Sequence, residues 1–166
     1  IIRGMIKRIS IPVFCLFFLI TARGNAADTT STLEAKLKNA GGEEKIKILI
    51  DLTDLYSEKD LEKAFSYGKK TLEIVQRSQN PREAEVLNLL AKISYRRGDY
   101  ASTIDYAGRA GAIARESGNK QDDASSQFNL GMAYKYLADY NRALDHFSSA
   151  QAIYTDLGDK KKLSLA

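Results

Sequence analysis

The chain contains one histidine, His146, and one cysteine, Cys15, so nucleophilic and acid–base chemistry has little to draw on. A lone imidazole can move a proton, but no Ser-His-Asp, Cys-His or multi-histidine set can be assembled around His146. On a second helix of a pair it reads as a partly exposed polar side chain. A zinc site normally takes three or four Cys, His or carboxylate ligands, and the mature chain offers no Cys and one His. Asp51 and Asp54 lie one helical turn apart and Asp122-Asp123 are adjacent. Paired carboxylates divide acid and base roles when burial separates their pKa values. Asp122-Asp123, however, opens a helix, where negative charge meets the positive end of the dipole. Gly108 and Gly111 fall inside a helical pattern, without the flanking strand a phosphate loop needs. Lys160-Lys161-Lys162 reads as a solvated start to another repeat rather than a nucleic-acid or lipid contact. The residues therefore predict no catalytic group, no cofactor, no metal and no nucleic-acid partner.

The elements that would position any site come in two parts, a leader and a repeat array. Of 166 residues, 44% are hydrophobic and 28% charged, which suits one ordinary soluble domain and excludes a multi-span membrane protein or a disordered tail. The net charge of +4 comes from Arg3, Lys7, Arg8 and Arg23, because the rest of the chain carries 21 basic and 21 acidic residues. Residues 1–27 have the layout of a secretory signal peptide: a basic start, an apolar run from Ile9 to Ala22, then Gly24-Asn25-Ala26-Ala27. At about 1.5 Å per residue that run reaches roughly 21 Å, short of a hydrocarbon core of about 30 Å. Cleavage after Ala26 or Ala27 is expected over a retained anchor. Cys15 leaves with the leader, so the mature chain forms no disulfide and its fold rests on packing.

Three segments then align. Asp60, Asp99 and Asp139 are spaced 39 and 40 residues apart, as are Ala64, Thr103 and Ala143, then Thr71, Ala110 and Ala150, then Ile74, Ile113 and Ile153. Each unit reads as two helices. Leu87, Leu90, Ala91 and Ser94 mark a first helix, as do Leu130, Gly131, Tyr134 and Leu137; Ala143, Phe147, Ala150 and Tyr154 mark a second. The aspartates at the short breaks can accept from the first free amides of the next helix, and Pro81 suits a first turn. Thr53, Ala91 and Gly131, facing Ala64, Thr103 and Ala143, let antiparallel helices approach closely. The expected organisation is a capping segment over 28–45, repeat units over 46–83, 84–123 and 124–157, and the start of a further, truncated repeat over 158–166. In the capping segment Thr32 would cap a short helix carrying Leu33 and Leu37, ended by Gly41-Gly42.

This pattern resembles the tetratricopeptide repeat. Leu130, Gly131, Tyr134, Asp139, Tyr140, Ala143, Phe147 and Ala150 carry the resemblance in the third unit. Leu90, Ala91, Gly98, Asp99, Tyr100 and Ala110 carry it in the second, and Leu52, Tyr56, Asp60 and Ala64 in the first, which has one residue fewer at its turn. The chain departs from the family in lacking tryptophan and a proline closing each unit, and in a period near 40 rather than about 34. It is similar in this to longer-armed variants common in bacterial signalling proteins. The resemblance implies an all-α, right-handed α-solenoid of about three antiparallel helix hairpins behind a signal peptide.

It also implies a protein- or peptide-binding module whose first helices line a concave face. Side chains pointing away from the intra-pair stripe there are Asn88, Lys92, Tyr95 and Arg96 in the second unit, and Phe128, Asn129, Met132, Lys135 and Tyr136 in the third. Aromatics, a methionine and cations have the make-up of a protein-binding patch; packing of Phe128 and Met132 between repeats is the competing reading. Relatives that clamp a terminal carboxylate use a particular order of lysine and asparagine. Asn129 fits one place, but Asn88 and Lys92 fall in swapped order, so that ligand is not supported. The implied context is the extracytoplasmic, periplasmic or secreted sensor part of a larger bacterial signalling protein, such as a histidine kinase or diguanylate cyclase. A free-standing periplasmic scaffold and an accessory module of an enzyme are the alternatives. Membrane contact is expected only through the signal segment or a region downstream, and self-association through an uncapped last hairpin.

Overall fold

Three aspartates and an asparagine set the frame of the helices. The Oδ1 atoms of Asp60, Asp99 and Asp139 accept from the amides of Lys63, Ser102 and Arg142 at 3.0, 3.0 and 3.1 Å. Asn119 does the same for Asp122 at 3.1 Å. Each thereby satisfies one of the amides a helix start leaves without a partner. In the computed structural model, residues 29–158 are described, and they form seven helices and no strand. These are α1 (residues 29–37), α2 (Gly42–Ser57), α3 (Leu61–Arg77), α4 (Glu83–Arg96), α5 (Tyr100–Glu116), α6 (Lys120–Tyr136) and α7 (Tyr140–Asp156). The expected leader and the residues expected to begin a further repeat after Gly158 lie outside the described part.

Helix ends repeat as regularly as helix starts. Residues 79, 98, 118, 138 and 158 all take left-handed backbone conformations. After four of them, the amides of Asn80, Asp99, Asn119 and Asp139 reach back five residues to Val75, Ser94, Ala114 and Tyr134, the Schellman closure. Glycine fits that conformation freely, but Ala138 adopts it at φ 59°, where a Cβ costs about 1 kcal/mol. The α2–α3 turn is the exception. There the Asp60 amide bonds Tyr56, four residues back, at 2.8 Å. The residue missing from the first unit is the left-handed one.

Pairs α2/α3, α4/α5 and α6/α7 are the three hairpins. Successive hairpins pack α3 on α4 and α5 on α6, and the first helices touch one another, α2 on α4 and α4 on α6. Second helices make no such contact among the described residues, so the stack is closed along α2–α4–α6 and splayed along α3–α5–α7. The first helices are therefore on the inner side of the curve.

The main core joins Ile46, Ile50, Leu72, Val75, Val86, Leu87, Leu90, Tyr106, Ala107 and Ala110 across the first two hairpins. The third hairpin has a lighter core of Ala124, Ala150 and Tyr154, with Phe128 and Ile153 against it. Close approach is built in by glycine. A Cβ on Gly68 would stand 2.8 Å from Leu90 Cδ2, one on Gly111 2.6 Å from Ser126 Oγ, and one on Gly131 2.6 Å from the Phe147 ring.

Several expectations need correction. Thr32 lies inside α1 and does not cap it, because the helix is already formed at residue 29. Pro81 sits in the turn before α4, ahead of its N-cap Arg82. The residue close against Gly131 is Phe147, one turn beyond Ala143. Leu137 is 52% exposed and belongs to the turn rather than the buried stripe. Tyr140 and Leu144 of the last hairpin are exposed as well. One carboxylate ties helix α1 to the first hairpin: Glu34 Oε1 accepts from the hydroxyls of Tyr56 at 2.7 Å and Tyr67 at 3.0 Å. That bond pushes the Tyr56 phenol up to about 12 and holds Glu34 below its ordinary range.

Candidate functional site: a groove between the first helices

A groove of about 720 Å³ runs along the inner side, mainly between α4 and α6. Its position follows from the curve, since α2, α4 and α6 supply all of its lining side chains but Tyr154 of α7. Asn88, Lys92, Tyr95, Arg96, Phe128, Asn129 and Met132 all line it, so seven of the nine residues selected from sequence are brought together. Lys135 and Tyr136 are not on its wall. Tyr136 instead stacks on Tyr100 with ring centres 5.3 Å apart and meets Tyr95 edge-on at 5.2 Å. Burial, followed by the Tyr136 contact, pushes the Tyr95 phenol up.

Not every gathered residue is available to a ligand. Asn88 is 8% exposed, and its amide donates to the Asp122 carbonyl oxygen at 2.9 Å. Asn129 donates to the Asn88 carbonyl oxygen at 3.2 Å. These two side chains stitch α4 to α6, and the expectation of Asn88 as a free contact residue is corrected accordingly. Phe128 turns its ring toward Phe147 at 5.7 Å and packs on the third hairpin's core, which favours the packing reading for that residue. Met132, half-buried on the wall, stays open to the groove.

The cations are spoken for as well. Lys92 Nζ lies 3.2 Å from Asp54 and 3.8 Å from Glu58, and Arg96 Nη1 lies 2.9 Å from Glu58. Arg96 also donates to the Ser57 carbonyl oxygen. The guanidinium beside Glu58 holds that carboxyl below its ordinary range. Asp54, Glu85, Leu89, Asp122, Ser125 and Tyr154 complete the wall. Asp54 could have been found in the sequence, because it occupies in the first hairpin the place of Lys92 and Met132. Tyr154 belongs to a second helix, and no rule that assigns the inner face to first helices alone could reach it.

Among the described residues, no group of three or more His, Cys, Asp or Glu side chains is placed to hold a metal. His146 is off the groove. Its ring stacks on Tyr134 with centres 5.4 Å apart and planes 3° from parallel, and Nδ1 is 2.7 Å from Gln127 Oε1. Burial pulls its pKa below the ordinary 6.5. A folded-state value below the unfolded one means that the unfolded chain takes up the proton first. The stabilisation is complete above 6.5 and lost as pH falls through the lower folded-state value. The melting temperature should therefore drop between about pH 7.5 and pH 5.5, where histidine is the side chain that titrates. His146→Gln should flatten that drop; an equal drop in the variant would assign it to other groups.

Residues 82–156, the second and third hairpins, match the family described as Tetratricopeptide repeat. No curated protein matches the chain in sequence. Solved structures that share its fold include the following three. BtubC (BKLC) from P. vanneervenii is 24% identical at a TM-score of 0.72, over 81% of this chain and 59% of that one. A Rap protein complexed with Competence and Sporulation Factor is 22% identical at 0.72, over 78% and 37%. Aspartyl phosphate phosphatase F from Bacillus subtilis is 20% identical at 0.68, over 75% and 34%. The chain thus spans between about a third and three fifths of these proteins. With the matches, the second and third hairpins are similar to tetratricopeptide repeats, and the described helices form an all-α solenoid of that type of fold.

Proposed function

We propose that this stack of tetratricopeptide-type hairpins is a protein-interaction module that binds a protein or peptide segment in the groove between α4 and α6. The observation that carries the reading is an open, mostly apolar wall that includes Leu89, Tyr95 and Met132 on the inner face of the stack. A largely pre-formed surface loses little entropy on binding, and its mechanism is complementarity, with no bond chemistry. The similar Rap structure is itself a complex with a named factor, which supports a ligand-binding role for this fold. We further propose export across a bacterial inner membrane, on the strength of residues 1–27, and service as the sensor part of a larger signalling protein. N-terminal sequencing of exported chain, expected to start at Ala27 or Asp28, tests the export.

The groove is tested by selecting a phage-displayed library of random 12-residue peptides on the full chain. Enrichment is expected, and Met132→Glu should abolish it while leaving helical circular dichroism intact. No enrichment, or enrichment that Met132→Glu leaves unchanged, would sink the reading.

A further inference from the structure

The inner face changes character along the stack. Asp54, Lys92 and Met132 occupy one position of the three first helices, and Glu58, Arg96 and Tyr136 occupy the position one turn on. Between α2 and α4 both rows are closed by the ion pairs from Asp54 and Glu58 to Lys92 and Arg96. Between α4 and α6 the same rows place methionine and tyrosine opposite the cations, and the wall is mostly apolar.

Lysine and arginine side by side on a groove wall would ordinarily attract a carboxylate. Here two resident carboxylates already face them, so the four groups carry no net charge. The remaining charged groups on the wall, Glu85 and Asp122, are acids, and Glu85 is held by Arg82 at 2.7 Å. An acidic segment entering the groove would meet cations that are already faced by carboxylates. An apolar segment would cover Leu89 and Met132 without displacing any ion pair.

We infer that Asp54 and Glu58 are specificity-determining residues: by occupying Lys92 and Arg96 they exclude acidic peptides and reserve the groove for apolar ones anchored between Leu89 and Met132. This rests on the groove being the binding site. It predicts a gain of function, which a merely structural ion pair would not give. The pairs are solvent-exposed, with side-chain exposures of 59% for Asp54 and 63% for Glu58, so their neutralisation leaves the fold in place.

The experiment repeats the 12-residue library selection on the native chain and on Asp54→Asn/Glu58→Gln, with Glu73→Gln, which breaks an exposed ion pair to Arg77 on α3 away from the groove, as control. The native chain should enrich peptides rich in Leu, Ile, Met and Phe and poor in Asp and Glu, and Glu73→Gln should enrich the same set. The double variant should admit acidic peptides. A reference peptide with four glutamates should bind it about tenfold more tightly than it binds the native chain, an advantage that shrinks at about 0.5 M salt. Acidic peptides enriched by the native chain, or one composition for native chain and double variant, would overturn the assignment and leave peptide binding standing. So would admission of acidic peptides by Glu73→Gln. No enrichment on the native chain would remove the binding reading and this inference together.

Discussion

Replacing Gly131 by threonine should destabilise the chain by about 3 kcal/mol, roughly 10 °C in melting temperature, the upper range for overpacking. The cause is local. A Cβ at this position would stand 2.6 Å from Phe147 Cδ1 and Cε1, and Phe147 has its other neighbour, Phe128, at 5.7 Å between ring centres. The corresponding pairs in the other hairpins show that the position is not intrinsically closed to side chains. In the first hairpin Thr53 faces Gly68, whose Cβ would lie 3.3 Å from the threonine methyl. In the second, Ala91 and Ala107 share the core. Threonine with glycine, alanine with alanine and glycine with phenylalanine fill one place between paired helices in three ways. Phe147→Ala alone should cost about 2 kcal/mol, because the ring is only partly buried. Combined with Gly131→Thr it approaches the first hairpin's solution, so the double variant should lose at least 1 kcal/mol less than the two singles added. Urea denaturation of all four chains measures this. Strict additivity would mean that the ring swings aside and that close approach is not what holds α6 to α7.

That compensation shows how much the sequence carried and where its reach ended. The repeat period and the capping aspartates are local signals, since each cap is made with an amide three residues on; the helix pairs and their order followed from them. Thr53, Ala91 and Gly131 were legible as a column of small residues, again from spacing alone. Their true partners were not, because which residue of the second helix meets Gly131 depends on a helix crossing that spacing does not state. The groove divided in the same way. Lys92, Tyr95, Phe128 and Met132 share an inner face by helical period, and the fold gathers them. The occupancy of Lys92 and Arg96 by Asp54 and Glu58 is a relation between separate hairpins. So is the bond from Asn88 to the Asp122 carbonyl oxygen. Such relations are set by the rise from one hairpin to the next, and they decide which groove residues remain available.

Leu90→Ala should cost about 4 kcal/mol, toward the upper end for leucine truncation in a core, and most of a marginal stability of about 5–15 kcal/mol is not far above it. Leu90 is fully buried, and its Cδ2 lies where Gly68 leaves room for it on α3. Removing it opens a cavity at the seam between the first and second hairpins, which α3 and α4 close from opposite sides. A stack held by neighbour contacts fails first at its weakest seam. Hydrogen exchange should therefore accelerate together across α2 and α3 while α6 and α7 keep their protection. Leu144→Ala, at a leucine 65% exposed, should stay within about 0.5 kcal/mol. A loss below about 1 kcal/mol for Leu90→Ala would show that the seam collapses around the cavity. The consequence reaches the groove, because Leu89 and Lys92 ride on the same helix as Leu90. Helix α4 is seated on α3 as well as on α5 and α6, so a cavity on its α3 side loosens the support of its inner face. Peptides selected on the native chain should then bind Leu90→Ala more weakly even at temperatures where the variant is still folded.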